Sequence, residues 1–170
     1  MRFAHSFFVL PLLIAGCMSA SDPGEPMTAH MTMVGDDLTK VGTEDGAHKT
    51  AVAAATKVGD LAALEAAHMT KVSAFIDDMK TMCVEMKDTC MNAAGMMADA
   101  QPMADLADQM TQECNNHKAA MAAADLPAAT TEEARHQAAL ADLQDKVMTK
   151  HDALSPTAAT YTCSAHMHGM

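Results

Sequence analysis

The sequence predicts an all-α protein, an up-down four-helix bundle between a flexible N-terminal tether and a short C-terminal tail. Three observations lead there. Residues 43–155 are rich in Ala, Leu, Met, Lys, Glu and Gln, good helix formers, without an alternating β-branched run. Apolar residues in this region recur at helical spacing. The breaks between periodic stretches carry helix-start signals, and 170 residues suit one domain with tails.

Residues 1–16 hold a single basic residue, Arg2, followed by the apolar run FFVLPLLIAG. The run is too short for a permanent membrane helix and is expected to be a secretory signal. Residues 17–42 mix Pro, Gly, Ser and Asp without periodicity, which predicts a flexible tether. Four helical segments follow, at about 44–58, 60–88, 102–124 and 131–154. Asp60 after Gly59 suits an N-cap, Pro102 a first helical position, and Thr130 with Glu133 a capping box. A glycine inside a helix costs only about 1 kcal/mol. If Gly59 is bridged, the first two segments become one long helix and the bundle has three. Residues 156–170 form a Cys/His/Met-rich tail.

At 100° per residue the second segment lines up Leu61, Leu64, His68, Val72, Phe75, Met79, Met82 and Met86. The third lines up Met103, Leu106, Met110, Cys114, His117 and Met121, and the fourth Glu132, His136, Ala139, Leu143, Val147 and Leu154. In the first, mostly Ala, His48 shares a side with Val52 and Ala55. Each segment thus turns one histidine inward. Counted from the end near Gly59 and Pro127, the four lie within roughly 7 Å of one height, close enough to share a transition-metal ion.

The cysteines pull against this alignment. A secreted chain tolerates disulfides, and four cysteines remain once Cys17 is set aside. A hairpin centred near residue 98 pairs Cys83 with Cys114, and a returning tail pairs Cys90 with Cys163. Levelling the helices by the first bridge separates His68 from His117 by several turns, so the bridge and the histidine layer compete. Cys90–Cys114 with Cys83–Cys163, or free thiols, remain alternatives.

Three local patterns resemble known families. Ile14-Ala15-Gly16-Cys17 resembles the lipobox of bacterial lipoproteins, which implies cleavage before Cys17, lipidation of that cysteine and a membrane anchor in the cell envelope, periplasmic or surface-exposed. Glu65-x-x-His68 and Glu133-x-x-His136, with Glu44 and Glu113 on the other helices, resemble ferritin-like di-iron carboxylate bundles, implying an iron site. Tyr161-x-Cys163-x-x-His166 resembles the core of small heavy-metal-binding domains of copper-export machinery, with Ser164-Ala165 in place of the family's Pro-Met.

Composition narrows function. The formal net charge is −11, and −12 once Arg2 leaves with the signal, which disfavours nucleic acid and attracts cations. There are 18 methionines and no Trp, so Met and Ala must do much of the packing. Thioethers are also soft-metal ligands. The clusters MTAHMTM and HMHGM lie in segments read as tails, where packing does not explain them. They predict a copper-binding lipoprotein for sequestration, delivery or tolerance, with His30, Met31, Met33, His166, Met167 and His168 as ligands, joined by interior His68, His117 and His136. Iron and zinc are alternative metals, and a metal-handling protein is an expected partner. The other readings are a structural or partner-binding helical lipoprotein and a ferritin-like di-iron protein. No nucleophile–base arrangement or phosphate loop is present in the sequence, and no catalysis is expected.

Overall fold

A computed structural model describes residues 25–90 and 97–163. Four helices run α1 (Met27–Ala54), α2 (Val58–Thr89), α3 (Met97–Met121) and α4 (Leu126–Ala158). Each packs on its sequence neighbour, and α1 also packs on α4, which closes the up-down bundle. Two-residue strands β1 (Glu25–Pro26) and β2 (Thr162–Cys163) pair antiparallel, Glu25 opposite Cys163 and Pro26 opposite Thr162. Met27 N donates to Tyr161 O at 3.2 Å, so the two ends of the bundle chain are stitched together.

The largest departure from the expected layout is α1. Residues 27–42, read as tether, are helical. Met27, His30, Met31, Val34, Leu38 and Val41 are buried at helical spacing, a stripe hidden in the sequence by interleaved Asp, Thr and Gly. Thr32, Thr39 and Thr43 satisfy their hydroxyls on carbonyls four residues back, which removes their preference for non-helical turns. The glycines here face α4, where a Cβ would make only ordinary contacts. A Cβ on Gly35 would meet the His151 ring at 3.7 Å, and one on Gly42 the Gln144 amide at 3.6 Å. Both lie against α4.

Other boundaries shift for local reasons. The first break falls before Gly59: Lys57 is extended, with φ −137° and ψ 137°, and α2 starts at Val58, so the bundle has four helices. Asp60 sits in the first turn rather than capping it. Pro102 lies inside α3 instead of opening it. Asp125 Oδ1 accepts from Ala128 N at 2.9 Å and caps α4, while Thr130 turns its hydroxyl to Leu126 O within the helix, so the Thr130/Glu133 capping box does not form.

The main core contains Met27, Met31, Ile76, Met79, Met86, Met103, Met110 and Leu140, and Val52, Leu61, Met121 and Ala129 form a smaller cluster. Cys90 and Cys163 are bridged, as expected. Cys83 and Cys114 are not: both are free and buried, and burial pushes each thiol up to about 12. The Lys80–Asp108 ion pair shows why. That register sets Cys83 level with about residue 105 and Cys114 with about residue 74, roughly 13 Å apart along the axis and beyond disulfide reach. The histidine layer therefore wins over the first bridge. No helix among the described residues is long and apolar enough to cross a membrane.

The bridge joins residues 73 apart in sequence, and closing so long a loop stabilises by about 4 kcal/mol in the chain-entropy picture. Reducing Cys90–Cys163 is expected to lower the thermal midpoint by about 10 °C while leaving far-ultraviolet helicity at 25 °C unchanged, as circular dichroism would show.

Candidate metal centre

Every helix contributes a histidine to one buried layer, and each histidine follows a carboxylate by three or four residues; Asp45, Glu65 and Glu133 are buried with the rings, and Glu113 stands at the edge. On α1, α2 and α4 the pairs are Asp45/His48, Glu65/His68 and Glu133/His136, three apart and therefore on one helical face. On α3 the pair is Glu113/His117, four apart. The four imidazoles form two parallel stacks, His48 on His68 with ring centroids 4.0 Å apart and His117 on His136 at 3.9 Å. The stacks meet edge to face at 5.9–6.2 Å.

The inward atoms separate into two groups. His48 Nε2 lies 3.3 Å from Glu65 Oε2 and 3.4 Å from Glu133 Oε2. His117 Nε2 lies 3.3 and 3.5 Å from the same two oxygens. Four ligands at about 2.0–2.1 Å around a tetrahedral ion stand roughly 3.3–3.4 Å from one another, so these separations match the four nitrogen–oxygen edges of the six that an N₂O₂ cage would have. Beside it, Asp45 Oδ1 lies 4.0 Å from His68 Nε2 and 3.8 Å from His136 Nε2, a wider triad. His48, His68 and His117, and likewise Asp45, His68 and His136, bring donor atoms within 4.8 Å of one another, so these His and His/Asp groups could hold a metal ion.

Hydrogen bonding does not account for the layer. His48, His117 and His136 Nε2, both His68 nitrogens, both oxygens of Glu65 and of Glu133, and Asp45 Oδ1 are buried without a hydrogen-bond partner. The contacts of 3.3–3.5 Å are close enough for ion pairing but lack hydrogen-bond geometry. Natural cores avoid such a concentration of unpaired polar atoms, which points to a ligand.

An outer ring orients the histidines of α3 and α4. His136 Nδ1 pairs with Glu113 Oε1 at 2.9 Å and His117 Nδ1 with Glu132 Oε1 at 3.3 Å. Arg135 holds both carboxylates, its Nη2 reaching Glu113 Oε1 at 2.8 Å and Glu132 Oε1 at 2.6 Å. With Nδ1–H donated outward, the Nε2 lone pairs face the centre, the arrangement that prepares an imidazole as a ligand.

Burial and contact charges set the protonation. Burial, assisted by the neighbouring His48 ring, lowers His68 to about 3, and burial lowers His136 to about 4 despite its bond to Glu113. Burial also opposes charge on His117, but Glu65 and Glu132 outweigh it and raise that pKa. For Glu65, contacts with His117 and His48 overcome burial and hold it at about 2. Asp45 is raised to about 6 by burial. Near neutral pH His68 and His136 are therefore neutral donors.

His68, His117 and His136 thus converge as expected from sequence, and His48 completes the set. Of the carboxylates in the ferritin-like expectation, Glu65 and Glu133 face the centre, while Glu44 and Glu113 do not. Glu44 faces outward and pairs with Lys71 Nζ at 2.9 Å, while neighbouring Asp45 takes the inward place. Glu113 supports His136 rather than facing the centre. On α4 it is Glu133, 1% exposed, that turns inward, and Glu132, on the predicted stripe, turns to Arg135. Asp45 was the residue sequence reasoning missed, although its spacing to His48 repeats that of the two Glu-x-x-His pairs.

The N-terminal cluster is elsewhere. His30 lies 18 residues before His48 on α1, about 27 Å along the helix, and its Nε2 stands 3.3 Å from Glu85 Oε2. Met31 is buried in the main core and Met33 packs on its edge, so packing explains both. His166, Met167, His168 and Cys17 lie outside the described residues.

No protein-family profile, curated protein or solved structure matches the chain. Fold and site together define a four-helix bundle with a buried histidine–carboxylate layer that could hold metal.

For the metal-free protein the lowered histidines set the sign of their own contribution to the pH dependence. His68 and His136 have folded-state pKa values below the ordinary 6.5, so their contribution is fully present above 6.5 and is lost as pH falls towards 4 and 3. Asp45, raised to about 6, acts oppositely between about 6 and 3.8, and His117 and Glu133, both raised, act in the same direction as Asp45. His68→Phe removes a group that costs stability on acidification, so the change in thermal midpoint of the metal-free chain from pH 7 to 4.5 is expected to be more favourable in the variant than in the parent.

Proposed function

We propose that this chain is a lipid-anchored, extracytoplasmic metal-handling protein whose bundle core holds two transition-metal ions. One occupies the cage of His48, His117, Glu65 and Glu133, and the other the triad of His68, His136 and Asp45. The observation that carries this reading is the set of four cage separations of 3.3–3.5 Å between nitrogen and oxygen atoms that have no hydrogen-bond partner. Ile14-Ala15-Gly16-Cys17 supports the anchor and the envelope location.

The donors bear on metal choice. Imidazole and carboxylate without sulfur suit Zn(II), Fe(II) or Cu(II), and the tetrahedral edges favour zinc or iron over a tetragonal cupric ion. Cu(I) would want thioethers, and Met31 and Met33 of the described residues are committed to packing. Copper handling remains a second reading for the tail: the Cys90–Cys163 bridge removes Cys163 from any ligand set and leaves His166, Met167, His168 and Met170 as donors. Deleting residues 164–170 tests it, with loss of cuprous-ion binding expected and unchanged binding counting against it.

Calorimetric titration of metal-free protein with Zn(II) and, anaerobically, Fe(II) should give two ions per chain. Saturation at about 1,000 times Kd should stabilise by about 4 kcal/mol. Glu133→Met is the sharpest variant. It removes a buried carboxylate that metal-free protein must tolerate unpaired, so the metal-free form is expected to gain about 1–2 kcal/mol in urea melts while cage binding is lost. Destabilisation of the metal-free form with no heat of metal binding in the parent would mean the layer is purely structural.

A further inference from the structure

We propose that metal ions reach and leave the core centre through the cleft between α2 and α3, with Glu65 as the carboxylate that passes them inward. This inference rests on the metal-binding reading above and adds the route. A cleft of about 690 Å³ opens between α2 and α3, lined along α2 by Leu61, Ala62, Glu65 and Ala66 and along α3 by Lys118 and Met121. Glu65 connects it to the centre, for the same side chain that lines the cleft places Oε2 at 3.3 Å from both His48 Nε2 and His117 Nε2. None of the other inward groups, Asp45, His48, His68, His117, Glu133 or His136, lines any of the clefts described.

The local chemistry fits transfer. Neither Glu65 oxygen makes a hydrogen bond, so the carboxylate is tied to the cage only by its ion-pair contacts with His48 and His117, for which an incoming cation can compete. Ala62 and Ala66 flank Glu65 on the exposed side of α2 and leave the approach clear. Lys118 lines the same cleft, a like charge for an incoming cation that slows loading and makes it depend on ionic strength.

Stopped-flow loading with Co(II), read by its visible bands, and release to excess chelator test the route. The double variant Ala62→Trp/Ala66→Trp fills the approach without touching a ligand. It should slow uptake and release together by about tenfold or more, with equilibrium affinity unchanged. Lys118→Glu should speed uptake at low salt, and the advantage should shrink at high salt. Ala138→Trp, on the exposed side of α4, is the control and should change neither rate. Parent-like rates in the double variant would overturn the route, as would slowed uptake with unchanged release, which signals a damaged site. If the parent binds no Co(II), Zn(II) or Fe(II) at equilibrium, the metal reading itself fails, and that result is separate from failure of the route.

Discussion

Seven ionisable side chains meet in one buried layer of the bundle, and the rest of the structure is arranged around that constraint. Uncompensated burial of a single carboxylate costs several kcal/mol, so three facing four imidazoles make a layer that cannot be a neutral filler. It lies between two apolar clusters, the large Met-rich core and the small group of Val52, Leu61, Met121 and Ala129. The large core, the β1/β2 ribbon and the Cys90–Cys163 bridge fasten the opposite end of the bundle. Stability is concentrated away from the layer, which leaves its polar groups to be positioned for binding rather than for packing.

Arg135 explains how such a layer keeps its shape. One exposed guanidinium grips Glu113 and Glu132, and these two carboxylates each hold the Nδ1 of a histidine from the neighbouring helix. Because Glu113 of α3 serves His136 of α4 and Glu132 of α4 serves His117 of α3, the helices are cross-linked reciprocally. Exposed ion pairs are usually worth little on their own. Here the value is orientation: the pairs choose the tautomer and aim Nε2 inward. Among the described residues no guanidinium clamps the α1/α2 side in this way, and that is the side on which Glu65 lines the cleft.

Much of the architecture could be read from the chain. Four helices, their up-down order and one inward histidine on each follow from periodicity and short connections, and the structure bears these out. What escaped the sequence did so for identifiable reasons. The first half of α1 reads as tether because Thr and Gly obscure its stripe, yet the threonines bond within the helix and the glycines are contact points for α4. Among the inward carboxylates, Glu65 and Glu133 follow the two Glu-x-x-His pairs, whereas Glu44 stood in for Asp45 and the helical stripe chose Glu132 over Glu133, since adjacent residues differ by 100° and a modest error in the chosen face exchanges them. The Cys83–Cys114 pairing failed because it needed a hairpin centre several residues later than the Lys80–Asp108 register allows.

Methionine poses the remaining question, because a chain with 18 of them invites a soft-metal interpretation. In the described bundle the two chemistries are kept apart. Met79, Met86, Met103 and Met110 are buried in the main core, whereas the donor groups of the layer are nitrogen and oxygen. Unbranched Met fills irregular space between the helices, and it does so with few aromatic residues to help. A thioether-rich core is therefore compatible with a centre for harder ions. The soft-donor cluster that packing of the described residues does not claim lies beyond Cys163, in His166, Met167, His168 and Met170, where the disulfide has already taken the thiolate that would have bound most tightly.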